Sequence, residues 1–568
     1  MSRPSPAGLE GAERVCRTLE ALGVTHAFGL PGTQTVPLYE ALRRSSLESV
    51  VPSSELSAAF MAGAHFRAAG RVAALVTIPG PGFTWALTGL AEARADSAAL
   101  LHLTLAEPEG ARARFELQAI PQRTVGEALA KGYFTVRHLD QVEPVLRQAH
   151  ALALEGEPGP VIVALAEGKT TGGASAAGDE RASGSAHASA ERPDGDLAPG
   201  WDRLRRARRP LLYVGQGGLG AAPAIRRLAE ALGAPVMTTP SGRGVLPETH
   251  PLAMPFDPCR GGLDVAVGLM RQADLVLVLG ARLGHNGSAG RALPFDSETA
   301  FQVDAAPENC GAAFGLPGSV ARVEAWIDAE PSDPLPRSLW TEAELEEAHR
   351  ALRSPGPARP EPRIAGRDPA EFFAQLRHAL PPSGRLVTDT GLHQILTRRH
   401  LDVLRPGGLL FPSDLQSMGF GLPAAIGVRL ATPSEPVVAL VGDGSLAMNA
   451  LDLATAARLG LNLPVIVFAD GFLNQIRVQQ QGEIGHESGV SLPPVDLEAL
   501  AEAVGVHFAW VDDIARELPL ALNRDRPTLL AVPVGDSSAM RRVARGRKAR
   551  NLVKQALGRR LLNRLRRS

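Results

Sequence analysis

Short runs of consecutive apolar residues alternate along the chain with longer stretches whose apolar positions recur every three or four residues. From the N-terminus the pattern predicts a helix at GAERVCRTLEALG, a strand at THAFGL and a helix at SELSAAFMAGAHFRAAG. VAALVTI (strand), TWALTGLAEARAD (helix) and the strands AALLHLTLA and GPVIVALA follow. A second series gives PLLYVG, PAIRRLAEALG, APVMTT, ADLVLVLG and TAFQVDA. A third gives GRLVTD, PAAIGVRLA, PVVALVG, ALDLATAARLG, LPVIVFA and PTLLAVPV. The strand-like runs are apolar throughout, without in-out alternation. Strands read this way when helices cover both faces of a parallel sheet. The pattern predicts an α/β chain of three doubly wound parallel-sheet domains.

Two stretches interrupt it. Residues 171–199 are rich in Ala, Gly, Ser and Asp and lack apolar periodicity; residues 331–369 are rich in Pro and charge, with one helical segment, TEAELEEAHRALR. Read as linkers, they divide the chain into domains at 9–170, 200–330 and 370–537, followed by a tail at 538–568.

At 568 residues with 45% hydrophobic and 21% charged content, the chain can bury several cores. The net charge of -1 conceals an asymmetry, because Arg541 to Arg567 holds twelve of the 59 basic residues and no acid. The body is therefore acidic and gives no pull toward nucleic acid. In the tail, Leu552, Ala556, Leu557, Leu561 and Leu565 fall on one helical stripe among arginines. Contact with an acidic partner or membrane surface, docking on the acidic body, and a solvated tail are its open readings. Cys16, Cys259 and Cys310 lie far apart and form no CxxC pair, which argues against a thiolate zinc site or disulfide framework. No run of about 18 apolar residues occurs. The expected location is the cytoplasm.

The segment PVVALVGDGSLAMNALDLATAARLGLNLPVIVFADGF carries candidate chemistry. It reads strand (436–441), Gly-Asp-Gly-Ser loop, helix (about 449–459), strand (463–469), then Asp-Gly. A right-handed crossover puts both strand ends on one sheet edge, with Asp443 and Asp470 just beyond them. Gly442 and Gly444 permit close backbone approach, and the helix that follows offers N–H groups to a phosphate. Two carboxylates beside a phosphate suit Mg²⁺. Two ordinary loop aspartates account for the stretch equally well.

Several motifs in order add a resemblance. GDGS with MN after it, MGFGLPAAIG (418–427) and DTGLHQI (389–395) resemble the diphosphate-binding domain of thiamine-diphosphate-dependent enzymes. FGLPGTQTVPLYEAL (28–42), SSELSAAFMAGAHFRAAG (53–70) and TIPGPGFTWALTGLAEARADS (77–97) resemble their pyrimidine-binding domain. ARRPLLYVGQGGLG through ADLVLVLGAR resembles the central domain. The similarity is to the acetolactate synthase-like branch, large catalytic subunit type, and covers nearly all of 9–537.

The resemblance implies roles residue by residue. Glu55 would hydrogen-bond N1′ of the cofactor aminopyrimidine and promote proton loss from the thiazolium. On its own it is a first-turn acid after Ser53 or Ser54. Met418 would buttress the bent cofactor, though a lone Met is also an ordinary core residue. Gly391, His393 and Ser445 would contact the diphosphate, within reach of Gly442 and Gly444. Asp443, Asp470 and the carbonyl of Phe472 would hold Mg²⁺. The implied activity is decarboxylation of a 2-oxo acid with transfer to an acceptor, in a homodimer or homotetramer whose sites lie between subunits.

Four positions depart from the family pattern: Asp470 for Asn, Ser54 for His, Asn286 for an acceptor-binding Arg, and Val478 for Trp. Arg offers a bidentate cationic fork that Asn cannot supply, so an altered acceptor site is expected. The same departures motivate the alternative, a catalytically silent cofactor-binding scaffold or regulator. GQGGLG (215–220) fits G-x-G-x-x-G, but no acid ends the next strand, so NAD is disfavoured and FAD stays undecided.

Overall fold

The computed structural model describes residues 6–106, 117–166, 198–306, 309, 315–317, 327, 335–353 and 361–535. The tail at 538–568, Cys310 and nearly all of the 171–199 stretch lie outside them. No helix among the described residues is long and apolar enough to cross a membrane.

Among the described residues, eighteen strands form three six-stranded parallel sheets. The first contains β1 (His26–Gly29), β2 (Glu48–Val50), β3 (Ala73–Val76), β4 (Leu100–Leu105), β5 (Gly132–Val136) and β6 (Pro160–Leu165), in the order β2-β1-β3-β4-β6-β5. The second contains β7 (Pro210–Val214), β8 (Val236–Thr238), β9 (Ala253–Pro255), β10 (Leu275–Leu279), β11 (Ala300–Asp304) and β12 (Gly315–Pro317), in the order β12-β11-β10-β7-β8-β9. The third contains β13 (Arg385–Thr388), β14 (Leu409–Leu410), β15 (Val437–Gly442), β16 (Pro464–Ala469), β17 (His507–Trp510) and β18 (Thr528–Pro533), in the order β14-β13-β15-β16-β18-β17. The expected three-sheet α/β architecture is present.

The first and third sheets share one strand order. In each, the chain steps outward from its first strand, then returns to that strand's other side. The direction of winding reverses between β1 and β3, and again between β13 and β15. Such reversals open a crevice at the C-terminal edge of a parallel sheet, where ligands bind.

The two sheets are joined by a pair of buried helices. Glu55–Ala69 packs against Gly421–Ala431, and both are apolar on nearly every side, as a helix with no solvent face must be. The Phe60 and Phe420 rings meet edge to face at 5.4 Å. A Cβ on Gly427 would lie 2.2 Å from the Met61 carbonyl oxygen, so only glycine lets the two backbones approach this closely.

Within 331–369, the helix Glu342–Arg353 packs onto the central sheet through Leu345, Ala348 and Leu352. Just ahead of it Trp340 donates its indole N–H to the Pro210 carbonyl at 2.8 Å and lies beneath the Arg209 guanidinium at 3.9 Å.

Candidate active site

A cavity of about 150 Å³ opens at the winding reversal of the third sheet, beside the C-terminal ends of β13, β15 and β16. Gly391 and His393 border it from the segment after β13, and Met418 from the loop before Gly421–Ala431. Gly442 to Ser445 follow β15, and Asp470 and Phe472 follow β16. Nine of the ten sequence-selected site residues therefore converge.

Locally, β15 and β16 run parallel in register from Ala439↔Val465 to Gly442↔Phe468, which brings Asp443 beside Asp470. The Gly-Asp-Gly-Ser stretch is not a loop. A helix begins at Asp443, runs to Asn449, and resumes at Asp452. Asp443 accepts three backbone N–H groups: Gly444 at 2.8 Å, Asp470 at 3.1 Å and Gly471 at 2.7 Å. Burial, then the neighbouring Asp470, nevertheless pushes its carboxyl up to about 7. Asp470 accepts the Phe472 N–H at 2.9 Å and the Asn474 amide at 2.8 Å, and burial raises it too. A buried and a half-buried acid side by side make a donor set suited to a hard divalent ion shared with a phosphate. No cluster of three or more His, Cys, Asp or Glu suited to a metal occurs among the described residues.

The opposite wall suits a diphosphate. Gly391 adopts φ +146, closed to other residues, and a Cβ there would lie 2.8 Å from the His393 ring. A Cβ on Gly442 would approach the same ring at 3.1 Å. Burial pushes His393 down to about 3, and its buried Nε2 has no partner among the described residues. Thr390 Oγ1 is likewise buried and unpartnered.

Glu55 lies elsewhere. It opens the helix Glu55–Ala69, whose cap is Ser54: the Ser54 hydroxyl oxygen accepts the Ser57 N–H at 3.1 Å.

Asp389, the first residue of DTGLHQI, also serves the cavity. It accepts the N–H groups of Thr390 at 2.8 Å, Gly419 at 3.0 Å and Gly421 at 2.6 Å, tying the segment after β13 to the one that carries Met418. Burial lifts it to about 6. A carboxylate that serves backbone donors leaves no spacing signal in a sequence.

Of the departures, Asn286 donates to the Ser413 carbonyl at 2.6 Å and to Asp414 at 3.1 Å. Val478 is exposed on the helix Asn474–Glu483. A larger cavity, about 900 Å³, lies by the central sheet between the loops after β7 and β10, and Asn286 borders that one. The smaller cavity is the catalytic candidate because the acids, glycines and unpaired imidazole meet there. In GQGGLG, a Cβ on Gly215 would lie 2.3 Å from the Gly280 carbonyl oxygen, so loop packing alone requires that glycine.

The chain matches three descriptions in order: the thiamine pyrophosphate enzyme N-terminal TPP binding domain at residues 9–126, the central domain at 199–326 and the C-terminal TPP binding domain at 389–532. It belongs to the thiamine pyrophosphate enzymes, cofactor-dependent catalysts of this three-domain build. Within them it is similar to acetolactate synthase large subunits. It is 29% identical to the Escherichia coli (strain K12) isozyme 2 large subunit over 93% of this chain and 96% of that one. It is 29% identical to the isozyme 1 large subunit of the same organism, over 92% and 94%. The probable acetolactate synthase large subunit of Methanocaldococcus jannaschii is 27% identical over 96% and 95%.

Proposed function

We propose that this protein is a thiamine-diphosphate- and Mg²⁺-dependent enzyme that decarboxylates a 2-oxo acid and transfers the acyl unit to an acceptor, with an acceptor site altered from that of acetolactate synthases. The observation that carries the proposal is the convergence of Asp443, Asp470, Ser445, Gly391, His393 and Met418 on one cavity at a winding reversal.

Bound thiamine diphosphate supplies an electron sink for the carbanion left when CO₂ departs. The chain's part is to hold and tune. Asp443, Asp470 and the Phe472 carbonyl hold the cation. Ser445, His393 and the backbone around Gly391 and Gly442 face the diphosphate. Met418 would pack against the cofactor. Glu55 exchanges a proton with N1′ of the aminopyrimidine, as a buried carboxylate in hydrogen-bond reach can.

A cavity of about 150 Å³ accommodates only part of such a cofactor, and Glu55 is outside it. Both facts support a site completed by the first domain of a second copy, hence at least a homodimer. Trp85 at 57% exposed, Met448 at 57% and Leu451 at 64% are apolar surface consistent with that contact. Location in the cytoplasm fits this chemistry.

Thiamine diphosphate binding, measured by calorimetry with and without Mg²⁺, tests the proposal first. No binding at millimolar cofactor sinks it. A panel of 2-oxo acids assayed for CO₂ release, with and without aldehyde or 2-oxo acid acceptors, then defines donor and acceptor. The silent-scaffold alternative draws on Ser54, Asn286 and Asp470, and fast exchange of the cofactor C2 proton, abolished by Glu55→Gln, rules against it. A flavin in the 900 Å³ cavity is a separate reading supported by its size, and the absorption spectrum of the purified protein tests it.

A further inference from the structure

Three carboxylates outside the cavity reach across the seam between the first and third domains, two in one direction and one in the other. Glu92, in the helix Pro81–Ala95, accepts the N–H of Ser417 at 3.0 Å. Ser417 directly precedes Met418. One turn further along the same helix, Asp96 accepts the Ser413 N–H at 3.1 Å and the Ser413 hydroxyl, and pairs with Arg67 at 2.5 Å. One helix face thus grips both ends of the loop Ser413–Ser417. Inside that loop Gln416 sits at φ +59, and its amide donates back to the Ser413 carbonyl at 3.0 Å.

From the other side, Asp452 in the helix Asp452–Arg458 accepts the N–H of Ser53 at 2.9 Å and the Thr455 hydroxyl at 3.2 Å. Ser53 lies two residues before Glu55. The arrangement is reciprocal in topology. Glu92 and Asp452 lie in the helical segments after β3 and β15, equivalent strands of two sheets with one order. What they hold are the equivalent segments after β2 and β14.

Both acids are costly where they sit. Glu92 is 1% exposed and Asp452 0%. Neither makes an ion pair among the described residues, and Glu92 Oε1 and Asp452 Oδ2 are buried without a partner. An apolar side chain would close the same seam more cheaply, and the helix pair around Phe60 and Phe420 already closes it. What a carboxylate adds is a fixed acceptor for one particular N–H.

We propose that Glu92 and Asp452 are reciprocal positioning residues, each holding the backbone that presents the other domain's cofactor-facing side chain: Met418 for Glu92, Glu55 for Asp452. This rests on the roles given to Met418 and Glu55 above.

The test is a mutant cycle on the full chain with Mg²⁺. Glu92→Leu is expected to weaken thiamine diphosphate binding about tenfold, because the Ser417 N–H loses its acceptor. Glu92→Gln keeps an acceptor oxygen and is expected to stay within about twofold. In a Met418→Ala background, Glu92→Leu is expected to add nothing further. On the other side, Asp452→Leu is expected to slow exchange of the bound cofactor's C2 proton about tenfold at unchanged affinity, with Asp452→Asn restoring it. If a Leu variant does not fold, the Ala variant takes its place. Equal losses in both Met418 backgrounds, or unchanged binding, overturn the Glu92 arm; unchanged exchange overturns the Asp452 arm. A wild-type chain that binds no cofactor sinks the assignment of the cavity instead.

Discussion

Asp443 braces the turn that carries Asp470: its Oδ2 accepts the Asp470 N–H at 3.1 Å and the Gly471 N–H at 2.7 Å. The pair is therefore set in place by backbone contacts that do not depend on a cation. Asp443→Ala leaves three buried donors without an acceptor and removes one proposed ligand. Calorimetry is expected to find cofactor binding abolished. Asp470→Asn keeps an oxygen for the Phe472 N–H and removes one negative charge beside the diphosphate. Cofactor affinity is expected to be unchanged or improved, with the Mg²⁺ requirement relaxed. Metal dependence that ignores the substitution would mark Asp470 as only a turn former.

Glu55→Gln retains size and polarity but cannot accept a proton. Turnover is expected to fall by about 10²–10⁴-fold, the range of positioned acid–base groups. Cofactor affinity should barely move, because the proposed cation and diphosphate contacts lie in the third domain.

Glu92 gives a pH signature. Burial first, then Asp96, pushes its carboxyl from 4.5 to about 7, opposed by Ser417 and Arg67. Its folded value lies above its unfolded one, so folding favours the protonated form. The contribution is complete below about pH 4.5 and is lost as pH climbs through about 7. The thermal midpoint of the wild type is expected to drop between about pH 4.5 and 7. Glu92→Gln, which cannot ionise, should flatten that slope; an identical slope in both proteins counts against the assignment.

Gly427→Ala places a methyl group 2.2 Å from the Met61 carbonyl oxygen, a backbone atom that cannot swing aside. The helix pair must separate, at a cost of about 1–3 kcal/mol. Urea unfolding should show the loss.

The sequence pattern picked out the interior strands of every sheet and passed over the six at the edges: β2, β5, β9, β12, β14 and β17. An interior strand is buried on both faces and so is written in apolar residues. An edge strand need not be. Glu48 and Ser49 of β2 are exposed, β14 is two residues long, and β17 is half-buried throughout. The acids and glycines of the cavity were legible because their chemistry demands those types at strand ends. Asp389, Glu92 and Asp452 were not. Each acts on a backbone N–H, and all but one of these are remote in sequence or lie across a domain seam. The start of a helix at Asp443 was also missed, since Gly-Asp-Gly reads locally as a turn.

The separation of Glu55 from the Asp443 cavity within one chain has a genetic consequence. If a working centre draws its acid from one copy and its acidic pair from another, two differently crippled chains can repair one another. Glu55→Gln and Asp443→Ala chains, each inert alone, would form mixed dimers in which both defects fall on one centre and leave the other whole. Co-expression of two dead alleles would restore activity that neither possesses.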